Sequence, residues 1–180
     1  MCVMAMLRKV SSVGGLISSL CFVLLSAAFH VPIVWYLETG VSFHVGGLWH
    51  FCSKTALVDW KCEYVDKKDA DAMGHDWGDY VTMRTFVVIS DLIGVALLIF
   101  FYLSICIKSK VLGVASVIGA AAVVGLITVS STLAQTAFTQ YNGADTEADW
   151  CLYVIWLCFM STFIVAAFAI AVLVAACMDD

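Results

Sequence analysis

Charge is scarce in this chain of 180 residues. Only 13% are Asp, Glu, Lys or Arg, against about 25% in an average soluble domain. Nine are basic and fourteen acidic, a net charge of −5, so no basic surface is available for nucleic-acid phosphate. Catalytic and metal motifs are missing too. There is no Cys-x-x-Cys, His-Glu-x-x-His, Gly-x-Ser-x-Gly or phosphate-binding loop. His44, His50 and His75 have no serine and carboxylate in a triad-like pattern around them, so the chain reads as a non-enzyme without a cofactor. The single asparagine, Asn142, precedes Gly143-Ala144, so no N-glycan acceptor exists. What the chain has in excess is apolar surface: 63% of residues are hydrophobic and the mean hydropathy is +0.99. A soluble domain of this size could not bury that surface. A soluble enzyme and a disordered chain are both excluded, and the solvent is lipid.

Four apolar runs, about Val13–Leu37, Thr85–Ile107, Val111–Ala137 and Cys151–Cys177, are long enough to cross a bilayer. Each gives roughly 35 Å or more of helix, against a hydrocarbon core of about 30 Å. The chain therefore reads as one four-span membrane domain over residues 1–180. Arg8 and Lys9 precede the first span, and Lys108 and Lys110 sit in the tight turn between the second and third. The positive-inside rule puts both groups, and both termini, in the cytoplasm. Residues 38–84 and 138–150 then face outward. They carry eleven carboxylates and five cations. Arg8-Lys9 with the apolar run ending Ser26-Ala27-Ala28 has the outline of a signal peptide. The run continues to Leu37, however, well past an h-region of about 7–15 residues. Small residues in span three (Gly113, Ala115, Ser116, Gly119, Ala120, Ala121, Ala122, Gly125) and the alanines of span four allow close helix approach in lipid. The expected fold is a compact left-handed four-helix bundle.

The long outer segment alternates apolar and polar residues over Val41–Val45, Leu48–Cys52 and Val58–Val65, the pattern of half-buried strands. Two of those strands carry Cys52 and Cys62. On the oxidising side of a membrane these are expected to form a disulfide. Of the other six cysteines, Cys151 at the outer end of span four reads as a free thiol, and Cys21 and Cys158 as small apolar residues. Cys2, Cys106 and Cys177 lie near the inner interface and are candidates for palmitoylation.

Trp35, then Gly47-Leu48-Trp49, two residues, Cys52, nine residues and Cys62 resemble the tryptophan, Gly-Leu-Trp and paired-cysteine signature of the claudin superfamily. That group comprises claudins, peripheral myelin and epithelial membrane proteins, the lens fibre membrane protein and channel gamma subunits. Arg84 at the foot of span two matches as well. The resemblance implies a left-handed bundle topped by a five-stranded extracellular antiparallel sheet, with the second loop adding an edge strand near Phe138–Tyr141. It implies that Trp35 and Gly47-Leu48-Trp49 anchor the sheet at the lipid surface. It also implies a plasma-membrane protein of cell contacts that assembles with like subunits in cis and trans. The alternatives within the group are an auxiliary subunit of a channel or receptor and a membrane organiser without barrier function. Typical claudins end in a longer tail that PDZ domains capture; here only Met178-Asp179-Asp180 follow span four, which argues against that scaffold partner.

Two sets of charges need a role. Asp91 lies inside span two, and a carboxylate in lipid is costly unless paired or protonated. His30 in span one is the expected hydrogen-bond partner, with Ser90 or Gln135 nearby. The stretch Asp66–Asp79 is densely acidic, and Asp66, Asp69, Asp71 and Asp76 form a candidate cation-attracting face. Its Asp69-x-Asp71 and Gly74 resemble a calcium loop, but Met73 and Tyr80 occupy ligand positions, so no metal site is expected.

Overall fold

Lipid offers no partner to a backbone N–H or C=O, so a long apolar run closes its own hydrogen bonds as a helix. The computed structural model describes residues 2–30, 35–39, 42–46, 48–55, 58–68, 76–141, 146–148 and 150–178. Among them are four helices long and apolar enough to span a membrane: α1 (Cys2–Ser26), α2 (Trp77–Cys106), α3 (Lys110–Tyr141) and α4 (Trp150–Met178). The protein is a four-helix membrane bundle with a small antiparallel sheet.

Several boundaries differ from those expected. The first helix does not run to Leu37. It ends at Ser26, a 3-10 turn covers Ala27–His30, and Trp35–Thr39 form strand β1. The only proline of the chain, Pro32, falls between turn and strand, and a proline has no N–H to continue a helix. Arg8 and Lys9 lie within α1 rather than ahead of it. Helix α2 begins two turns before Thr85, which puts Arg84 inside it. Helix α3 continues through Tyr141, so the expected strand near Phe138–Tyr141 is helical, and the short strand β5 is Thr146–Ala148.

On each helix one row of buried positions recurs in steps of three and four, with Ser11, Tyr80, Arg84, Ser131, Ser161, Ala175 and Ala176 buried beside the rows. The rows are Arg8, Ser12, Gly15, Ser19, Phe22 and Ser26 in α1, and Met83, Val87, Ser90, Gly94, Leu97, Phe101 and Ser104 in α2. In α3 they are Gly113, Ser116, Ala120, Val123, Ile127, Ser130 and Ala134, and in α4 Ile155, Cys158, Thr162, Val165, Ala169 and Val172. A mean step of about 3.5 residues is the period of left-handed helix packing. These seams mix Ser, Gly, Ala and Thr with larger side chains such as Phe22, Leu97, Phe101 and Ile127, whereas Leu24, Leu92, Ile118 and Leu157 point outward. The small-residue run of α3 is split accordingly: Gly113, Ser116 and Ala120 are buried, whereas Ala121 and Gly125 are exposed.

The contacts form two compact units. The first holds residues 1–24, 88–128 and 158–180. In it the helices meet through glycine. Phe101 of α2 occupies the space beside Gly15 of α1, and Phe22 of α1 that beside Gly94 of α2. Leu97 of α2 packs on Gly119 of α3, Leu173 of α4 on Gly113 of α3, and Phe168 of α4 on Gly14 of α1. The four helices thus close a ring in which neighbours in sequence touch and α4 returns to α1. Cys158 of α4 faces the Phe22 carbonyl, Sγ to O 4.0 Å.

The second unit holds residues 25–87 and 129–157. Strands β1, β2 (Ser42–Gly46), β3 (His50–Thr55), β4 (Val58–Tyr64) and β5 make a five-stranded sheet in the order β4-β3-β2-β1-β5. All the pairings are antiparallel. Strand β1 is thus an inner strand, with Trp35 opposite Gly46 on one side and Ala148 on the other.

Gly15→Ala should destabilise the bundle by about 1–3 kcal/mol, the usual cost of overpacking, because a methyl there collides with the fully buried Phe101 ring. Gly125→Ala meets nothing within 4 Å and should be neutral or gain about 0.5–1 kcal/mol from helix propensity. Thermal unfolding of both variants in one detergent measures the contrast.

Candidate functional site

The hairpin of β3 and β4 is built around a directly opposed cysteine pair. Cys52 faces Cys62 in the strand register, and their sulfurs are bonded across a Cα–Cα distance of 4.0 Å. In the loop-entropy model closing so short a ring contributes about 3 kcal/mol. The register shifts between Ser53 and Thr55, a local irregularity near the turn.

At the other end of the hairpin the chain enters through Leu48-Trp49 and leaves through Val65. The Val65 N–H donates to the Trp49 carbonyl at 3.0 Å, which closes the ladder. Two carbonyls there, Leu48 O and Val65 O, lie where sheet pairing has ended. Arg84 of α2 supplies both donors: Nε to Leu48 O at 2.8 Å and Nη2 to Val65 O at 3.0 Å. Leu48, Val65 and Arg84 are all buried. A guanidinium taken out of water needs such partners. Its flat faces find rings as well, with Tyr64 at 4.8 Å, Trp49 at 5.1 Å, Trp77 at 5.3 Å and Tyr80 at 5.7 Å from the guanidinium carbon. All four are within the range of cation–π attraction. His30 stacks on Trp49 at 6.0 Å and His50 meets Tyr64 edge-on at 5.9 Å, extending the aromatic cluster.

Only part of this cluster stands out in the sequence. Trp49 and Arg84 are flagged by their motif. Trp77, Tyr80 and Tyr64 are not, although Trp77, Tyr80 and Arg84 follow the i, i+3, i+7 spacing of one helix face. That spacing is the signal that could have found them.

The other expected site residues fall as follows. Trp35 lies in β1, and Gly47, Asp69 and Asp71 are outside the described residues. Asp66 is exposed. Asp76 caps α2: its Oδ1 accepts the Gly78 N–H at 2.6 Å, and its carbonyl accepts the N–H groups of Asp79 and Tyr80. Its position is therefore accounted for by helix capping, with Asp79 in the first turn adding favourable charge. His30 and Asp91 belong to different units. Gln135, the other residue expected nearby, accepts from Trp156 Nε1 at 3.1 Å. Cys106 and Cys177 are exposed free thiols near the ends of α2 and α4; the side chain of Cys2 is outside the described residues. Among the described residues no three His, Cys, Asp or Glu side chains gather as a metal site.

Strand β4 is a sheet edge, and residues 59–64 are all exposed. Side chains alternate along a strand, so Asp59, Lys61 and Glu63 share one face and Trp60, Cys62 and Tyr64 the other. Lys61 Nζ and Glu63 Oε1 are 2.5 Å apart. The hydrogen bond to that carboxylate raises the Lys61 ammonium above its usual range. Trp60 is 50% exposed.

No protein-family model matches the chain, and no curated protein matches it.

Arg84→Ala strands two buried carbonyls and empties a ring-lined space, and should cost about 3–5 kcal/mol. Arg84→Lys keeps the charge but cannot reach both carbonyls as a fork and should cost roughly half as much. Unfolding midpoints measured with the disulfide intact read both.

Proposed function

We propose that this protein is a claudin-like component of cell contacts in the plasma membrane, both termini cytoplasmic, whose outer sheet assembles with like subunits in cis and trans. The observation that carries the reading is the edge of the sheet at β4, which pairs only with β3 among the described residues. Strand β4 is seven residues long, contains no proline and exposes residues 59–64. Natural sheets blunt such edges with lysine, proline or very short strands, because an open edge templates pairing with another chain. The opposite edge, β5, has three residues and fits that description. On β4 the blunting charge of Lys61 is paired with Glu63, and Trp60 stands half-exposed on the opposite face of the strand. Exposed tryptophan is the residue type that most often anchors an interface, and an edge strand adds main-chain hydrogen bonds.

The Gly-Leu-Trp motif, the stapled hairpin and the buried Arg84 support this reading from the side of the fold, since they hold the edge rigid. The acidic residues of the outer segment fit a barrier or passage that attracts cations, with the exposed Asp66 the described member of the candidate face best placed for it.

In non-adherent cells expressing the full chain, the protein should concentrate at cell contacts. Trp60→Ala should weaken sheet-to-sheet association by about 2 kcal/mol, roughly thirtyfold in affinity, and disperse the contact signal at equal surface expression. Unchanged contact enrichment would count against the edge. Uniform surface distribution with co-purification of one channel would favour the auxiliary-subunit reading instead.

A further inference from the structure

Helix α1 carries a guanidinium whose situation is the reverse of that of Arg84. Arg8 is 9% exposed, the first residue of the buried seam, and its Nε and Nη1 are shut away from solvent with no hydrogen-bond partner. Those two nitrogens hold three of the five N–H donors of the group. One turn along the same face, Ser12 is fully buried and its hydroxyl also has no partner. Among the described residues of this unit the only carboxylate is Asp91. It lies beyond Gly94, which packs beside Phe22, and is therefore roughly 20 Å or more along the helices from Arg8. Lys9 on α1, Lys108 in the turn after α2 and Lys110 at the start of α3 are the other described cations of this unit, and Asp179 and Asp180 at the end of α4 are outside the described residues. A buried cation whose donors have no partner calls for an anion.

The surface next to it states what kind. The i+4 ridge that starts at Arg8 and Ser12 continues through Leu16 and Leu20. These two residues, with Leu98, Ile99 and Tyr102 of α2, line a groove of about 380 Å³ that is apolar and faces outward. Residues four apart neighbour one another on a helix and the row drifts around it, so the ridge passes from the buried seam to the lipid-facing side. Leu16 and Leu20 lie about 12 and 18 Å beyond Arg8 along the axis. One leaflet contributes about 15 Å of hydrocarbon. A head that needs a phosphate oxyanion and a tail-length apolar groove thus follow one another at the spacing of a lipid.

We propose that Arg8 and Ser12, with the groove between α1 and α2, bind one anionic phospholipid of the leaflet at the N-terminal end of α1. The phosphate takes the guanidinium and the Ser12 hydroxyl as donors, and one acyl chain lies against Leu16, Leu20, Leu98, Ile99 and Tyr102.

The test uses the full chain in mixed micelles of phosphatidylglycerol and phosphatidylcholine with the same acyl chains, and native mass spectrometry to count retained lipid. The wild type should hold one phosphatidylglycerol with roughly tenfold preference over phosphatidylcholine, about 1.4 kcal/mol. Arg8→Gln should abolish the preference and Arg8→Lys keep part of it, with helix content and the disulfide intact in both. Leu98→Trp, which fills the groove and leaves Arg8 untouched, should also lose the lipid. A preference that survives Arg8→Gln overturns the proposal. So does displacement of the lipid by excess inorganic phosphate when Leu98→Trp has no effect, since that describes an anion site without a tail groove. A preference that appears only after Asp179→Asn and Asp180→Asn overturns it as well, because the carboxylates of the chain itself would then be the ligand.

Discussion

A guanidinium buried beside a sheet must replace the water it has lost, and Arg84 does so with two backbone carbonyls and four ring faces. The consequence reaches beyond the arginine. Leu48 precedes β3 and Val65 follows β4, so one rigid fork fixes both ends of the hairpin to helix α2. The disulfide does the complementary job inside the hairpin by joining opposed residues of the two strands. A sheet of short strands has little core of its own. Its edge strand, β4, is tied at its root by the fork and to β3 by the disulfide.

The helices obey a different rule from those of a soluble bundle. Lipid is as apolar as leucine, so burying leucine yields no hydrophobic gain, and close packing drives the helices together instead. Small and hydroxyl residues therefore share the seams with Phe22, Leu97, Phe101 and Ile127, while many other large aliphatic side chains face outward. Some hydroxyls inside the helices return their hydrogens to carbonyls one turn back, as Ser104 does to Phe100 and Ser116 to Leu112. That satisfies them without a partner helix. Glycines opposite Phe22, Phe101 and Leu173 let side chains enter where another residue would hold the helices apart.

The two buried arginines show how environment, not residue type, sets a role. Arg84 is fully engaged and serves as a fastener. Arg8 is equally withdrawn from water, but two of its nitrogens have no partner, which leaves donor capacity that a fastener would have used. The same contrast holds for carboxylates: Asp76 spends its Oδ1 on the first turn of α2, so an acidic residue that reads as surface charge is also part of the helix start.

By itself the sequence determined the solvent, the number of spans, the antiparallel hairpin and its cysteine pair, because these rest on local quantities: run length, alternation and spacing. It also marked Trp49 and Arg84 through their motif. The tertiary structure decided the rest. Trp35–Leu37 are apolar enough to extend a span, yet they pair with β2 and β5 in an inner strand; hydropathy does not distinguish a lipid-facing residue from a sheet residue. The seam on each helix was hidden for the same reason, since core and lipid are equally apolar. Trp77 and Tyr80 became partners of Arg84 only when α2 began two turns earlier than its apolar run. His30 found Trp49, and only the folded chain could bring those two rings together.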